Sequence, residues 1–204
     1  MTTVLVLGAG GHAKVVADIL QLQNVDVIGF LDDNPSTWGT HLLGLPVHGS
    51  IDRYTDFSPD GLVLGIGSNR VRKQIVARLG SSAETLWLSA IHPSASVARS
   101  ARIADGVVIC AHAVINPDSA IGVHAIINTS ASIDHDCTIN SYAHIAPGVH
   151  LAGGVHVGEG TLFGVGSQAL PGCQIGDWTT IGAGATIIRN VPDQVIAKGT
   201  PARW

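Results

Sequence analysis

Residues 121–139 read IGVHAIINTSASIDHDCTI, with an isoleucine at every sixth position. The same spacing extends without a change of phase from Ile91 to Ile187, and sixteen of these seventeen positions are large and apolar. Four residues after each one stands Ala, Val, Ser, Cys or Thr. A period of six fits neither an α-helix nor a heptad. It predicts a parallel β-helix, in which every sixth side chain points inward and stacks on its equivalent in the next coil.

The composition agrees with a repetitive core and excludes several classes of function. Hydrophobic residues make up 46% of the 204 residues and charged residues only 13%, so disorder is not expected. The net charge is −4 without a basic block, which argues against nucleic acid as a partner. No apolar run approaches ~20 residues, and the first residues lack a signal-peptide pattern, so we expect no membrane span. Three widely spaced cysteines indicate reduced thiols in a cytoplasmic protein.

The N-terminal part follows a different pattern. Residues 3–7 (TVLVL) are apolar and β-rich, and Gly8-Ala-Gly-Gly-His12 follows them. Residues 13–22 have helical apolar spacing, and the apolar run 25–33 ends in Asp32 and Asp33. The order of strand, glycine turn, helix and strand is typical of a Rossmann-like unit. Glycines let the backbone approach a phosphate, and an acid after the second strand can accept hydrogen bonds from ribose or base.

A third strand with its own glycine turn is predicted in residues 61–69, and a helix in residues 70–79. Taken alone, Gly8-x-Gly10-x-x-Ala13 fits the dinucleotide fingerprint, so an NAD-binding domain is an alternative. Only about 85 residues precede the solenoid, however, which is too short for a second mononucleotide half. We therefore predict two domains, a Rossmann-like nucleotide-sugar-binding domain (1–88) and a β-helix domain with a C-terminal tail (89–204).

The two parts together resemble one family. The stretches GAGGHAKV, FLDD, GIGSN, IHPSA, NTSASIDHDC and GTPAR are similar to those of the nucleotide-sugar N-acetyltransferases among the hexapeptide-repeat acyltransferases. The resemblance includes the bacillosamine-pathway enzymes and, in layout, the sialic-acid-type O-acetyltransferases. It implies an α/β Rossmann-like domain followed by an all-β left-handed parallel β-helix. The left hand comes from the resemblance alone, because the general rule for parallel crossovers gives the opposite hand.

The resemblance also implies an activity. Acetyl would pass from acetyl-CoA to the C4 amino group of a nucleotide-linked 4-amino-4,6-dideoxy sugar, without a metal or an acyl-enzyme. The family forms homotrimers with active sites between neighbouring solenoids. A sialic-acid-type O-acetyltransferase and a non-catalytic nucleotide-binding solenoid are the alternatives. The sequence does not distinguish UDP, dTDP and GDP as the nucleotide.

The segment Asp134-His135-Asp136 is the candidate catalytic centre. A sugar amine must lose a proton before it attacks a thioester, and a histidine with a pKa near 7 suits that task. An adjacent carboxylate can orient the ring, and the family motif assigns the base to His135 and its carboxylate to Asp136. Family members often carry Glu at the second position, and the sequence does not separate Asp134 from Asp136. With eighteen residues per coil, Gly153 is expected to stack on His135 and leave a gap for the thioester.

Other residues receive roles from the resemblance. His144 matches a histidine that contacts acetyl-CoA, and Asn128 matches a position near the sugar. The backbone amides of Val165 and Ala183 match contacts to the pantetheine arm. Six residues of the first domain match the binding site of the nucleotide sugar: Gly10, Gly11, His12, Asp32, Asp33 and Gly67. Cys137 falls on a position where a small side chain points into the solenoid, so we expect no cysteine nucleophile. No pair of His and Cys residues has the spacing of metal ligands, so we expect no metal site.

Overall fold

The computed structural model describes residues 2–204 and divides the chain into two compact units, one up to Pro93 and one from Ser94 to Trp204. The first unit is α/β, and the three strands and two helices predicted for it are present. Its elements are β1 (Thr3–Leu7), α1 (Gly11–Leu22), β2 (Asp26–Leu31), β3 (His41–Leu42), β4 (Leu45–Gly49), β5 (Gly61–Leu64) and α2 (Asn69–Leu79), with short 3₁₀ segments at Pro35–Thr37, Ile51–Phe57 and Gly80–Leu86.

The sheet of the first unit has the order β3-β4-β2-β1-β5. Strands β4, β2, β1 and β5 are parallel, and β3 pairs antiparallel with β4. The sequence reading missed β3 and β4, because LPVHG contains a proline and lacks a long apolar run. The last four of the five residues of β1 are fully buried, as expected for a central parallel strand.

The second unit is a left-handed β-helix with three flat faces. From β6 (Ala90–Ile91) onward, each strand is only two residues long. The first face contains β9 (Val108–Ile109), β12 (Ile126–Ile127), β15 (His144–Ile145), β18 (Leu162–Phe163), β21 (Thr180–Ile181) and β23 (Ile196–Ala197). The second face contains β7 (Ser96–Val97), β10 (Val114–Ile115), β13 (Ser132–Ile133), β16 (His150–Leu151), β19 (Gln168–Ala169) and β22 (Thr186–Ile187). The third contains β8 (Arg102–Ile103), β11 (Ala120–Ile121), β14 (Thr138–Ile139), β17 (His156–Val157) and β20 (Gln174–Ile175).

Strands on one face pair in parallel with a step of eighteen residues, as in Ser132 with His150 and Ile133 with Leu151. The predicted inward positions from Ile109 to Ile187 are all nearly or fully buried. The first three, Ile91, Val97 and Ile103, are only partly buried. The solenoid also extends one strand beyond the last predicted hexad, because Ile196 pairs with Thr180 after a shortened step of sixteen residues.

From Gly106 to Gly184 each corner of the prism contains a residue with positive φ, and these residues recur every six positions. Asp118, Ser130, Asp136 and Tyr142 occupy this left-handed position, and glycine does so at many of the later corners. A left-handed residue costs an ordinary side chain roughly 1–2 kcal/mol, whereas glycine adopts it freely. The tight corners therefore account for seven of the 25 glycines.

Neighbouring residues of β20 provide a test of the inward stack. Ile175 is buried at 1% exposure, whereas Gln174 points outward. We expect Ile175→Ala to lower the free energy of unfolding by about 2–5 kcal/mol, because it removes buried methyl groups and leaves a cavity. Gln174→Ala is the control and should change stability by less than about 0.5 kcal/mol. Urea unfolding followed by circular dichroism measures both, and equal effects would contradict the inward stack.

Candidate active site

His135 lies on the turn that connects the second face to the third, which we name the second corner. Its side chain is 61% exposed, so the imidazole is open to an incoming molecule. The ring Nδ1 lies 2.7 Å from Oδ2 of Asp136. Because a carboxylate can only accept, Nδ1 carries the proton and donates it, which leaves Nε2 as an unprotonated acceptor. This is the tautomer that a general base requires.

The structure separates the roles of the two flanking carboxylates. Asp136 contacts the ring, and the short Asp side chain is sufficient for that contact. Its φ of +60° explains why Asp suits this position, because Asp adopts the left-handed region more readily than Glu does. Asp134 instead accepts from the backbone N–H of His135 at 2.8 Å and from Nδ2 of Asn116 at 3.0 Å.

The two carboxylates set the charge state of the site. The hydrogen bond to Asp136, followed by the negative charge of Asp134, raises the pKa of His135 above its ordinary value. The hydrogen bonds from the His135 amide and from Asn116 lower the pKa of Asp134. The site therefore places two carboxyl groups beside a histidine of increased basicity.

Gly153 stacks on His135, as the eighteen-residue coil predicts, but the predicted gap for a thioester is wrong. An ideal Cβ at Gly153 would lie 2.6 Å from Cε1 and 2.7 Å from Nε2 of His135. The imidazole itself therefore fills the space that the missing side chain leaves. Gly153 has no positive φ, so its requirement for glycine is one of space rather than of backbone conformation.

Sequence reasoning missed the buried support of this turn. Ser119 is fully buried, and its hydroxyl donates to the Asp134 carbonyl at 2.7 Å while it accepts from the Cys137 amide at 3.1 Å. These two bonds fix both ends of the turn that carries His135. A serine among the inward alanines and valines was the only signal in the sequence. Cys137 is buried beside it as expected, and burial raises the pKa of its thiol, which makes it a poor nucleophile.

His144 lies elsewhere, on β15 of the first face. The Oδ1 atom of Asn128 accepts from the amide of Thr129 at 2.8 Å, so its Nδ2 faces the His144 ring and donates to Nε2 at 3.1 Å. Asn128 begins the turn from the first face to the second, which we name the first corner. One chain thus brings Asn128 and His144 together but places His135 on a different corner.

Val165 and Ala183 lie on the first corner in successive coils, and both are exposed. The Val165 carbonyl accepts from the Gly184 amide at 2.9 Å. Within residues 2–204 the amides of Val165 and Ala183 donate to no other group of the chain. Two stacked N–H donors on this corner therefore lack a partner among the described residues.

The first unit contains a cleft of about 350 Å³, and the structure brings all six predicted nucleotide-sugar residues to its wall. The glycine loop after β1 and the start of α1 form one side, and the turn after β5 forms the other. Gly10 precedes α1 without a side-chain cap, so the first amides of the helix remain available to an anion. Apolar side chains complete the wall: Ile51, Ile66, Val71 and Ile75.

The two aspartates at the end of β2 already have partners in the chain. Asp32 accepts from the amides of Ala9 and Asn34, each at 2.7 Å, and so ties the glycine loop to β2. Asp33 forms an ion pair with Arg78 at 2.7 Å. Asp32 therefore shapes the cleft, in addition to any hydrogen bonds it accepts from a ligand.

A buried cation lies behind the cleft, and the sequence reading missed it. Arg72 is 1% exposed, and its Nη1 donates to the carbonyls of Ile66 and Gly67 at 3.2 and 2.9 Å. Burial, followed by the charge of Arg72, lowers the pKa of His12 to about 4. His12 is consequently neutral at neutral pH and can meet a ligand only as a hydrogen-bonding group.

Two further observations concern the described residues 2–204. No group of three or more His, Cys, Asp or Glu side chains there is arranged to hold a metal ion. No helix there is both long and apolar enough to cross a bilayer.

Comparison with known proteins gives consistent matches in both units. Residues 3–79 match the PglD N-terminal domain, and residues 154–189 match the bacterial transferase hexapeptide of six repeats. The UDP-N-acetylbacillosamine N-acetyltransferase of Bacillus subtilis is 40% identical over 119 residues, which are 54% of this chain. That match spans about half of the relative, 52% of its length.

Solved structures match over the whole chain. A mutant of the perosamine N-acetyltransferase from Caulobacter crescentus, in complex with CoA and GDP-perosamine, is 40% identical with a TM-score of 0.92. The match covers 100% of this chain and 96% of that one. The acetyltransferase domain of PglB from Neisseria gonorrhoeae, in complex with acetyl coenzyme A, is 34% identical with a TM-score of 0.90 and 98% of each chain covered.

Replacing Asp136 tests the electrostatics of the second corner. Asp136→Asn keeps the shape and tolerates positive φ but removes the charge. We expect the pKa of His135 to fall, because the charged imidazole loses its main stabilising partner. NMR titration of the histidine ring signals measures this shift, with the distant Asp105→Asn as the control. An unchanged pKa for His135 would exclude Asp136 as its partner.

Proposed function

Because the chain belongs to the nucleotide-sugar N-acetyltransferases of the hexapeptide-repeat superfamily, we propose that it acetylates the C4 amino group of a nucleotide-linked 4-amino-4,6-dideoxy sugar with acetyl-CoA. The observation that carries this proposal is the exposed His135, held by Asp136 in the tautomer that leaves Nε2 free to accept a proton. Such a base suits an amine acceptor, which is largely protonated at neutral pH.

In the proposed reaction, Nε2 of His135 removes a proton from the sugar amine as its nitrogen attacks the thioester carbonyl. A C–N bond forms, the C–S bond breaks, and the CoA sulfur leaves and is protonated. Asp136 stabilises the imidazolium that forms in between, through the Nδ1 hydrogen bond. Proximity of amine and thioester supplies several kcal/mol of the acceleration.

Acetyl-CoA is proposed to lie along the first corner. The amides of Val165 and Ala183 suit the carbonyl groups of the pantetheine arm, because both donors lack a partner among the described residues. His144 and Asn128 lie on the same side of the prism, His144 one coil before Val165 and Asn128 two coils before it. His144 is proposed to contact the thioester end of the cofactor, with its Nε2 engaged by Asn128.

The proposed site is complete only in an assembly. His135 lies on the second corner, whereas His144, Val165 and Ala183 lie on or beside the first. A homotrimer would place the second corner of one copy against the first corner of the next, so that the base acts on a thioester bound by its neighbour. We propose this trimer as the active form, working in the cytoplasm, where acetyl-CoA is available.

The cleft of the first unit is proposed to hold the nucleotide. Backbone amides at the start of α1 suit a diphosphate, because they carry a partial positive charge. The neighbouring His12 is neutral and contributes no charge of its own. The Caulobacter crescentus relative was crystallised with GDP-perosamine, and the Bacillus subtilis relative is named for a UDP-linked sugar. Both guanine and uracil nucleotides are therefore candidates for this chain.

The decisive experiment offers acetyl-CoA with a panel of UDP-, dTDP- and GDP-linked 4-amino sugars and their 4-hydroxy analogues, and follows release of the CoA thiol. We expect turnover with an amine and none with the hydroxyls. His135→Ala should lower kcat at least ~100-fold, the usual scale for a lost general base. His156→Ala, an exposed histidine of the third face, is the control. Faster reaction of a hydroxyl acceptor would replace the proposal with O-acetylation.

Gly153→Ala tests the placement of the base without removing it. The new methyl group would overlap Cε1 and Nε2 of His135 and displace the ring, so kcat should fall at least ~10-fold while the fold remains intact. Pro171→Ala changes the same column one coil away and should leave kcat nearly unchanged. Comparable rates for both variants would show that the ring position is not critical.

A further inference from the structure

The turn that carries His135 is held open by a side chain from the preceding coil. Ten turns of the solenoid close by a backbone hydrogen bond from their fourth residue to their first, as from Ala131 to Asn128 at 3.1 Å. Turn 134–137 has no such direct bond among residues 2–204. The Ser119 hydroxyl stands between the two groups instead, donating to the Asp134 carbonyl at 2.7 Å and accepting from the Cys137 amide at 3.1 Å.

The inserted oxygen widens this turn. Hydrogen bonds of 2.7 and 3.1 Å that meet at a tetrahedral oxygen hold the Asp134 carbonyl oxygen and the Cys137 nitrogen roughly 4–5 Å apart. The corresponding oxygen and nitrogen atoms are 3.0–3.4 Å apart in the ten closed turns. The ends of the turn that carries His135 are therefore about 1 Å or more farther apart than those of a closed turn.

A turn can form at a corner of this kind without an inserted hydroxyl. Turn 128–131 closes directly, and the residue one coil before its last position is Ala113, which has no hydrogen-bonding side chain. Ser119 occupies the equivalent position for turn 134–137. It is fully buried, and a buried hydroxyl needs hydrogen-bond partners. Both of its partners belong to the turn of His135, so this serine selects the open shape of that turn.

A second inserted side chain lies one coil further along the same inward column. The thiol of Cys137 donates to the Ala152 carbonyl at 3.3 Å. Ala152 begins turn 152–155, which also has no direct closing bond among residues 2–204. This turn contains Gly153, whose missing Cβ would lie 2.6 Å from Cε1 of His135. The imidazole thus fits between two open turns, and a change in the width of either one would move it.

The width of the turn also sets the contact between the base and its carboxylate. His135 and Asp136 are the two central residues of turn 134–137, so their φ and ψ angles change when its ends approach each other. The present distance of 2.7 Å between Nδ1 and Oδ2 is short for a hydrogen bond between imidazolium and carboxylate, and a rearranged turn would weaken it. We propose that Ser119 is a positioning residue for the acetyl transfer, acting through its inserted hydroxyl on His135 and Asp136. This inference rests on the proposed function, because it gives Ser119 a part in the reaction of His135.

Ser119→Ala removes the hydroxyl, so the Cys137 amide can bond the Asp134 carbonyl directly and the turn closes. We expect kcat to fall at least ~10-fold, because a displacement of about 1 Å at a reacting group can cost more than that. KM for acetyl-CoA and for the amino sugar should stay near the values of the unaltered protein. Ser119→Thr keeps the hydroxyl, in the role that threonine has in two other turns, and should keep kcat. A folded Ser119→Thr that loses as much kcat as Ser119→Ala would contradict the proposal.

Thr161→Val is the matched control. Thr161 is fully buried, and its hydroxyl is inserted in the same way into turn 176–179, donating to the Gly176 carbonyl at 2.6 Å and accepting from the Thr179 amide at 3.0 Å. That turn connects the third face to the first and lies on a different corner from His135. Both variants should melt at a lower temperature, because each takes a hydroxyl from two buried backbone groups. Only Ser119→Ala should lower kcat, and equal losses in the two variants would reduce Ser119 to a structural residue.

The pKa of His135 gives a readout that does not depend on activity. The hydrogen bond to Asp136 is the largest influence that raises this pKa, so the displaced ring in Ser119→Ala should titrate at lower pH. NMR titration measures the shift, and the signal of His135 is assigned by its absence from His135→Ala. Thr161→Val should leave the titration of His135 unchanged.

This titration separates the inference from the proposed function. If the protein transfers no acetyl group to any acceptor, the pKa of His135 in the two variants still tests whether Ser119 positions the ring. Ser119→Cys, which replaces the hydroxyl by a longer and weaker donor, serves if Ser119→Ala is not folded. An unchanged pKa of His135 in the folded variant would overturn the inference.

Discussion

The structure of the second unit depends on one constraint, the parallel pairing of each strand with the strand eighteen residues later. This register stacks every inward isoleucine on its equivalent, so the core is a column of small, equal layers that needs almost no aromatic side chains. It also fixes where every outward residue lies. A residue on a corner lies next to the residues eighteen positions before and after it, whatever their side chains are. The outward residues therefore form columns whose members can be predicted from the sequence.

The candidate site uses these columns in two ways. Asn116 and Asp134 are one coil apart, as are His135 and Gly153, so Asp134 is held by the coil before it and the His135 ring fits against the coil after it. The tight corners demand left-handed residues, and the carboxylate that orients His135 occupies such a position. Asp136 thus meets two requirements: it tolerates the left-handed conformation of the turn, and its carboxyl group contacts the His135 ring.

Charge is distributed unevenly in both units. In the first unit the cleft has a neutral histidine and two aspartates already engaged by the chain, while the nearby cation, Arg72, is buried behind a glycine turn. In the second unit the charges that act on His135 are the carboxylates of Asp136 and Asp134, and the sequence has no Lys or Arg between residues 103 and 188. A positive charge beside the imidazole would lower the pKa of His135, whereas the present arrangement raises it.

The sequence by itself determined the six-residue period, the inward column, the α/β character of the first unit and the proximity of a carboxylate to His135, because these features are local or strictly periodic. Only the tertiary structure decided which aspartate contacts the ring, since Asp134 and Asp136 are equally close in sequence but point in different directions from a tight corner. It also revealed that Gly153 makes room for the imidazole, that Ser119 fixes the turn from inside, and that Arg72 lies buried behind the cleft. Such contacts depend on side-chain directions and on residues far apart in the chain, and neither is encoded in a spacing pattern.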